Sequence, residues 1–253
     1  MNRLFTFGCS FTQYFWPTWA DLLSYNYDVF QNYAMMGGGN LFIASTVAEA
    51  IAYNKINKDD TVMIMWTNVT REDRYINNWH GPGNIFTQKY YPEEYVKKYI
   101  TIRGCYVRDL AQISLVDQAL QNIGCKYEFL AMTEIANFSQ YTYEDSTTYI
   151  KDGLDLYRDT LDKIKPSVHD VIFNKDWNSR KILDKHARRL NAHPLPNEHL
   201  EYLQRVLPYY PISQEAIDLA NITTQNVKDQ YNKRGGFRAE LYDNKKMYIK
   251  KRL

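Results

Sequence analysis

The 253-residue chain lacks any apolar run that could cross a bilayer, which takes about 18 consecutive residues. Cysteine is scarce, with an odd set of three (Cys9, Cys105 and Cys125) and no Cys-x-x-Cys pair. This usage argues against a disulfide framework and indicates a reducing compartment. A secretory signal is also missing, because Gly8 and Ser10 interrupt the short apolar stretch near the N-terminus. We therefore expect a soluble, cytoplasmic protein without membrane contact.

A large excess of one charge is absent as well. The net charge is +2, so nucleic acid is not expected as a partner. Residues 232–253 are nevertheless basic, with eight Lys and Arg against two Asp and Glu. This basic tail either docks on an acidic protein partner or is a solvated terminus. Tyrosine is abundant, at 22 residues, which fits either a contact surface for carbohydrate or protein, or a surface that is merely rich in tyrosine.

Apolar periodicity predicts strands that alternate with helices. The predicted strands lie at residues 3–8, 27–34, 61–67 and 126–132, with a shorter fifth strand at 169–173. The predicted helices lie at residues 17–23, 40–54, 106–123, 197–207 and 213–230. Strands separated by helices imply right-handed crossovers, so we expect a three-layer α/β/α fold with a parallel, flavodoxin-like sheet.

Local signals refine this outline. Pro17 fits the first position of the first helix, and Asn40 is a candidate cap for the second. Residues 70–95 are polar, aromatic and punctuated by Gly and Pro, which predicts a long excursion over the surface. We place one domain at residues 1–210 and a C-terminal helix with the basic tail at 211–253.

Polar residues follow three of the predicted strands, at the edge where parallel α/β sheets bind ligands. Ser10 follows the first strand, glycines 37–39 follow the second, and Asn68 follows the third. A serine hydroxyl at such a turn can act as a nucleophile, and nearby backbone N–H groups can stabilise an oxyanion. Glycine lets a carbonyl substrate approach the backbone closely, and an Asn amide adds a hydrogen-bond donor.

A serine nucleophile needs a base, and the chain has five histidines: His80, His169, His186, His193 and His199. The last two lie in a proline-stiffened loop that enters a helix, "NAHPLPNEHLEYL". Such a loop can hold an imidazole over the sheet edge that carries Ser10. A metal site is not predicted, because the adjacent Glu198 and His199 point in different directions on a helix. Cys9 is an alternative nucleophile, but beside Ser10 it is expected to point into the core.

These motifs resemble the SGNH/GDSL hydrolases over about residues 3–205. The family's four blocks correspond, in chain order, to "FGCSFT", "NYAMMGGGN", "WTN" and "AHPLPNEH". The resemblance implies Ser10 as nucleophile, His193 as base, and an oxyanion hole formed by Ser10, Gly37 and Asn68. More narrowly, the combination is similar to SGNH-like proteins of tailed bacteriophages, which implies a virion-associated location if the chain is phage-encoded.

Two positions depart from the family's pattern. Cys9 replaces the acid of the usual Gly-Asp-Ser block, at a mainly structural position. The triad acid usually lies three residues before the His, where this chain has Leu190. A Ser–His dyad then needs another partner for the imidazole Nδ1, and we expect a backbone carbonyl or the Asn191 side-chain oxygen. His199 is either an alternative base or a supporting residue for His193.

The excursion at 70–95 directly follows the Asn of the third block. Five of its residues are expected to form a sugar-stacking or acyl-binding wall: Arg71, Trp79, His80, Tyr90 and Tyr91. The same sequence also fits a loop that packs its own aromatic side chains together.

The sequence thus predicts a serine esterase without cofactor or metal, whose substrate is a short acyl ester such as an O-acetyl group on a carbohydrate. The alternative is a catalytically degenerate SGNH-fold module, either a virion or assembly protein or a glycan binder. Phosphoryl transfer is not expected, because "GGGN" lacks the Gly-Lys-Ser/Thr ending of a P-loop.

Overall fold

The structure, a computed structural model, describes residues 2–87, 90–135, 147–177, 182–184 and 189–234. Its strands are, in chain order, β1 (Arg3–Phe7), β2 (Val29–Asn32), β3 (Thr61–Trp66), β4 (Arg74–Ile76), β5 (Asn78–His80), β6 (Lys126–Ala131), β7 (Ile182–Asp184) and β8 (Arg189–Asn191). Its helices are α1 (Trp19–Ser24), α2 (Asn40–Asn54), α3 (Glu93–Tyr99), α4 (Ile102–Ile123), α5 (Thr147–Leu156), α6 (Arg158–Leu161), α7 (Val168–Val171), α8 (Pro196–Val206) and α9 (Gln214–Arg234).

The central sheet has four parallel strands in the order β2-β1-β3-β6. Phe5 of β1 pairs with Gln31 on one side and with Val62 on the other. Each parallel step is bridged by a helix, and the order matches the start of a flavodoxin-like sheet. The predicted three-layer α/β/α fold is therefore confirmed.

The two faces of the sheet explain its apolar strands. All six residues of β3 are buried, because helices cover both sides of the sheet. One face packs on α2, α4 and α5, through Phe5, Phe7, Val62, Ile64, Trp66 and Phe129. The other face packs on α1, α7, α8 and α9, through Leu4, Met63, Met65 and Leu130. Successive side chains of a strand point to opposite faces of the sheet, so each apolar run contributes residues to both hydrophobic cores.

Three sequence predictions differ from the structure in local detail. Residues 169–173 are not a strand: α7 begins after Ser167, whose hydroxyl accepts a hydrogen bond from the Asp170 N–H at 3.1 Å, and this cap favours a helical turn. The α1 helix begins at Trp19 rather than at Pro17. The α2 helix is capped by Gly39, which leaves Asn40 inside the first turn.

The excursion at 70–95 has structure of its own, since β4 and β5 form an antiparallel hairpin and α3 begins at Glu93. Its buried residues include two acids, Glu72 and Asp73. The α9 helix packs on the domain through Ala216 and Ala220, whereas residues 235–253 of the basic tail lie outside the described residues. Within the described ranges, no helix is long and apolar enough to cross a membrane.

The buried side chain of Asn40 joins the glycine loop to the end of β3. Its Oδ1 accepts a hydrogen bond from the Thr67 N–H at 2.9 Å, and its Nδ2 donates to the Thr67 carbonyl at 3.0 Å. The same Nδ2 donates to Asp109 of α4 at 2.7 Å. Asn40 therefore continues the parallel sheet beyond β3 with side-chain atoms, and it sets the distance between two loops at the sheet edge.

Buried carboxylates complete this joint. Asp73 accepts hydrogen bonds from the N–H groups of Gly39 at 2.7 Å and Phe42 at 2.9 Å, at the N-terminus of α2 where a negative charge is stabilised. Asp109 accepts from Arg108 Nε at 2.6 Å. Burial nevertheless raises the pKa of Asp109 to about 6, although the Arg108 charge acts in the opposite direction.

We predict that Asn40→Ala lowers the free energy of unfolding by about 2–4 kcal/mol, because Thr67 and Asp109 lose a partner inside the protein. Urea denaturation followed by circular dichroism measures this change. Ser45→Ala is the matched control on the same helix, since its hydroxyl bonds only the local Leu41 carbonyl, and we expect a change under about 0.5 kcal/mol. Equal losses in both variants would show that the joint is not important for stability.

Candidate active site

A cavity of about 550 Å³ opens at the carboxyl edge of the sheet. Each of the four parallel strands contributes a residue that follows it: Ser10 after β1, Gly37 after β2, Asn68 after β3 and Met132 after β6. The loop after β8 adds His193. The remaining lining residues are Tyr14, Phe15, Met36, Arg71, Pro82, Gly83, Asn84, Thr133, Glu134, His169 and Trp177.

Ser10 lies in a tight turn directly after β1. The Cys9 carbonyl accepts hydrogen bonds from the N–H groups of Thr12 at 2.9 Å and Gln13 at 3.1 Å, which closes the turn. A side chain at Gly8 would come within 2.1 Å of Thr12 Oγ1, so only glycine fits there. Cys9 points into the core as expected, and its Sγ lies 3.7 Å from Met132 Sδ. Ser10 itself is 7% exposed and lines the cavity.

Gly37 requires glycine for two independent reasons. Its φ of +82° lies in the left-handed region that side chains disfavour. A Cβ at this position would also lie 2.1 Å from the Gly81 carbonyl oxygen. The glycine loop is fixed from behind, because the Gly38 N–H donates to the Met35 carbonyl at 3.0 Å. A ligand in the cavity can therefore approach the Gly37 backbone directly.

Asn68 has a defined orientation. Its Oδ1 accepts hydrogen bonds from the N–H of Thr70 at 2.8 Å and from the Thr70 hydroxyl at 2.6 Å. The Thr70 hydroxyl accepts in turn from Asn84 Nδ2 at 2.7 Å. Because Thr70 occupies the oxygen, the amide nitrogen of Asn68 is the group that can donate to a ligand.

The imidazole of His193 has a defined tautomer. Asn191 Oδ1 accepts the backbone N–H of His193 at 2.9 Å, so this atom is the oxygen of the amide. The same oxygen lies 2.8 Å from His193 Nδ1, and two acceptors cannot share a hydrogen bond. Nδ1 therefore carries the proton, and Nε2 keeps the lone pair that a general base needs. Of the two partners expected for Nδ1, the structure has the Asn191 side chain.

Aromatic contacts hold the His193 ring in place. The Tyr14 ring stacks on it with centroids 3.8 Å apart, and Phe11 contacts it edge-on at 5.4 Å. Asn191 Nδ2 donates to the hydroxyls of Tyr14 at 3.1 Å and Tyr231 at 3.0 Å, which prevents its amide from turning. An amide flanked by two tyrosines thus holds the imidazole where a carboxylate was missing from the sequence.

His199 is not placed as a base. It is 1% exposed on α8 and does not line the cavity. Burial lowers its pKa to about 3, with a smaller contribution from His193 in the same direction. His199 is therefore a neutral, buried residue of α8.

The expected substrate wall is only partly present. Of its five residues, Arg71 lines the cavity, whereas the other four do not. The Trp79 ring packs edge-on against Phe42 at 5.6 Å, and Tyr91 stacks on Tyr95 of α3 at 5.5 Å. His80 Nε2 lies 3.3 Å from the Ile76 carbonyl oxygen of the adjacent strand, and Tyr90 is exposed. The Tyr91–Tyr95 contact fits the alternative that the excursion packs its own aromatic residues, whereas Trp79 packs on α2.

Other aromatic residues line the cavity instead: Tyr14, Phe15 and Trp177. Tyr14 and Phe15 belong to the segment that follows Ser10. Trp177 belongs to the loop after α7. Trp177 stacks on His169 with centroids 4.5 Å apart, and burial lowers the pKa of this histidine. The cluster "QYFW" after the serine was the available signal for the first two, whereas local sequence gives none for Trp177.

Comparisons with known proteins find similar solved structures but no relative by sequence. No protein-family model and no curated protein matches the chain. Similar solved structures include a lipolytic protein of the G-D-S-L family from Veillonella parvula DSM 2008, at 12% identity and a TM-score of 0.44 over 82% of this chain and 99% of that one.

Two further similar structures are esterases. An acetyl xylan esterase from Geobacillus stearothermophilus has 13% identity and a TM-score of 0.45 over 84% of this chain and 96% of its own. The esterase EstA from Pseudoalteromonas sp. has 10% identity and a TM-score of 0.44 over 81% and 96%. At these values the similarity carries no conclusion about function, which depends on the geometry of the site.

We predict that His199→Met makes the protein less sensitive to acid. The folded-state pKa of His199 is about 3, below the value of about 6.5 in the unfolded chain, so unfolding takes up a proton. Its contribution to stability is complete above pH 6.5 and is lost as the pH falls toward 3, by about 1.4 kcal/mol per pH unit.

Urea denaturation at pH 7, 6, 5 and 4 measures this slope for the wild type and the variant. The control is Leu203→Met, a buried residue of the same helix without a titratable group, which we expect to keep the wild-type slope. Parallel stability curves for the wild type and His199→Met would contradict a neutral, buried His199.

Proposed function

We propose that the chain is a serine ester hydrolase of the SGNH type. The observation that supports this most directly is the shared cavity of Ser10, Gly37, Asn68 and His193, in which Asn191 holds the imidazole in the tautomer of a base. Nucleophile, base and oxyanion donors are the groups that acyl transfer from an ester requires.

In the proposed reaction, His193 Nε2 accepts the proton of the Ser10 hydroxyl while Oγ attacks the ester carbonyl. The tetrahedral intermediate collapses to an acyl-serine, and His193 returns the proton to the leaving alkoxide. Water then repeats the sequence on the acyl-serine, with His193 again as the base, and releases the carboxylic acid. His193 Nε2 accepts and donates each proton in this scheme, and the scheme uses no cofactor.

The negative charge on the carbonyl oxygen would be held by three donors. These are the backbone N–H groups of Ser10 and Gly37 and the side-chain amide of Asn68. The Thr70–Asn84 chain fixes the orientation of the Asn68 amide, because the Thr70 hydroxyl bonds its oxygen. Pre-oriented donors are effective because they need no reorganisation when the charge develops.

We propose a short acyl ester on a carbohydrate, such as an O-acetyl sugar, as the substrate class. The aromatic rings of Tyr14, Phe15 and Trp177 line the cavity, and flat aromatic faces suit the apolar side of a sugar ring. Polar groups of Asn84, Thr133 and Glu134 on the same lining could bond to sugar hydroxyls.

A second candidate is a binding module that uses the same fold without catalysis. It is favoured by the amide oxygen at His193 Nδ1, because an amide cannot stabilise an imidazolium as a carboxylate does. Such a module would bind an acylated glycan in the cavity without cleaving it.

Hydrolysis of p-nitrophenyl acetate separates the two candidates. We predict that Ser10→Ala lowers kcat by about 10³-fold or more, because the nucleophile is removed. Ser24→Ala is the control, since its hydroxyl only donates to the Asp21 carbonyl on α1, and it should retain wild-type rates. Equal rates for wild type and Ser10→Ala would leave the binding module as the function.

The amide at Asn191 gives a sharper prediction. Asn191→Asp should raise kcat about tenfold or more and move the acidic limb of the pH–rate profile to higher pH, because a carboxylate favours the imidazolium. Asn191→Leu should lower kcat instead, since Nδ1 loses its acceptor. If Asp and Leu at this position lower the rate alike, the Asn191 contact does not orient a catalytic base.

A further inference from the structure

Arg71 brings a positive charge to the cavity, and within the described part of the chain it forms no salt bridge. Its Nη1 donates to the Gly38 carbonyl at 2.9 Å, and its Nη2 contacts Met132 Sδ at 3.3 Å. Neither partner carries a charge, and a thioether is a weak acceptor. The guanidinium has five N–H donors, so these contacts leave part of its capacity unused.

Nearby acids are committed to other groups. Glu72 pairs with Arg74 and Arg108. Asp73 caps α2, and Asp109 pairs with Arg108 and accepts from Asn40. Among the described residues, none of these carboxylates forms an ion pair with Arg71.

Other arginines in the described ranges show the contrast. Arg3 bonds Asp60 through two nitrogens, each at 2.6 Å, and Arg108 reaches two carboxylates. A half-buried cation loses hydration, and an anion usually compensates for this loss. Near Arg71 lies the charge of Asp73, which already accepts two backbone hydrogen bonds. Arg71 also lines the cavity, where an anion of a ligand can compensate its charge.

We propose that Arg71 binds an oxyanion carried by the substrate, so that the preferred ester is an acylated acidic sugar. This inference rests on the proposed hydrolase function and narrows its substrate class. A planar guanidinium fits the two oxygens of a carboxylate, as in a uronic acid, and also fits a sugar phosphate. Both present the same chemistry to Arg71.

Glu134 also lines the cavity and has the opposite charge. It is exposed, so water and salt screen its field, whereas Arg71 is half-buried. An anionic group is therefore stabilised on the Arg71 side, next to Gly38, and is weakly repelled on the Glu134 side.

The experiment compares kcat/KM for three esters of one sugar: the O-acetyl methyl hexoside, its uronic acid counterpart and its phosphorylated counterpart. We expect the wild type to prefer at least one anionic ester by about 10- to 100-fold over the neutral one, mainly through KM. The uronic acid and phosphate arms show which oxyanion is recognised. Equal kcat/KM for all three esters would overturn the proposal.

Two variants test the residue itself. Arg71→Gln should reduce the anionic preference to about twofold or less, and Arg71→Lys should keep part of it, because the charge remains without the planar fork. Glu134→Gln is the matched control, and it should increase the anionic preference slightly. If Arg71→Gln lowers kcat on all three esters alike, Arg71 holds the oxyanion loop, and the proposal is wrong.

Failure of the hydrolase function is distinguishable from failure of this inference. If the wild type cleaves none of the esters, the hydrolase proposal fails, and binding of the unacylated methyl uronoside, hexoside and hexoside phosphate is measured by calorimetry. Binding of an anionic sugar at least about tenfold tighter than the neutral one, lost in Arg71→Gln, supports the anion site. Equal binding of the three sugars rejects it.

Discussion

The candidate site depends on buried hydrogen bonds that the side chains of Asn40 and Asp73 form with the loops around it. Loops at the edge of a parallel sheet diverge as the strands twist, and their backbone groups must be satisfied without water. Asn40 bonds both polar groups of Thr67, and Asp73 bonds the first turn of α2. The glycine loop and the Asn68 loop are thereby held together, so the separation of the two proposed oxyanion donors follows from side chains outside the cavity.

At His193 too, a residue that does not react positions one that is proposed to react. Asn191 is not a reacting group, yet it determines which nitrogen of His193 holds the proton. An amide does this without adding a negative charge beside the cavity. The charges on the cavity lining are then Arg71 and the exposed Glu134, and an anionic ligand meets less repulsion than a triad carboxylate would cause.

Sequence was sufficient where one physical requirement dominates a short segment. Strands buried on both faces need continuous apolar runs, and these runs located β1, β3 and β6. Because parallel strands end at the same edge of the sheet, Ser10 after β1 and Asn68 after β3 were expected to lie at that edge. Segment 169–173 misled because β-branched and aromatic residues suit a strand, whereas the Ser167 cap decided for a helix. The wall at Trp177 depends on contacts between distant segments, such as its stacking on His169, which no local pattern records.

Burial also decides which imidazole can exchange protons. Three described histidines lie in or beside the cavity region, and burial lowers the pKa of two of them, His169 and His199. A second imidazolium next to His193 would oppose its protonation and so disfavour removal of the proton from the Ser10 hydroxyl. Because His199 stays neutral on α8, the protein keeps His193 as the group that gains and loses charge during the proposed reaction. The burial of His199 on α8 therefore affects the charge that surrounds His193.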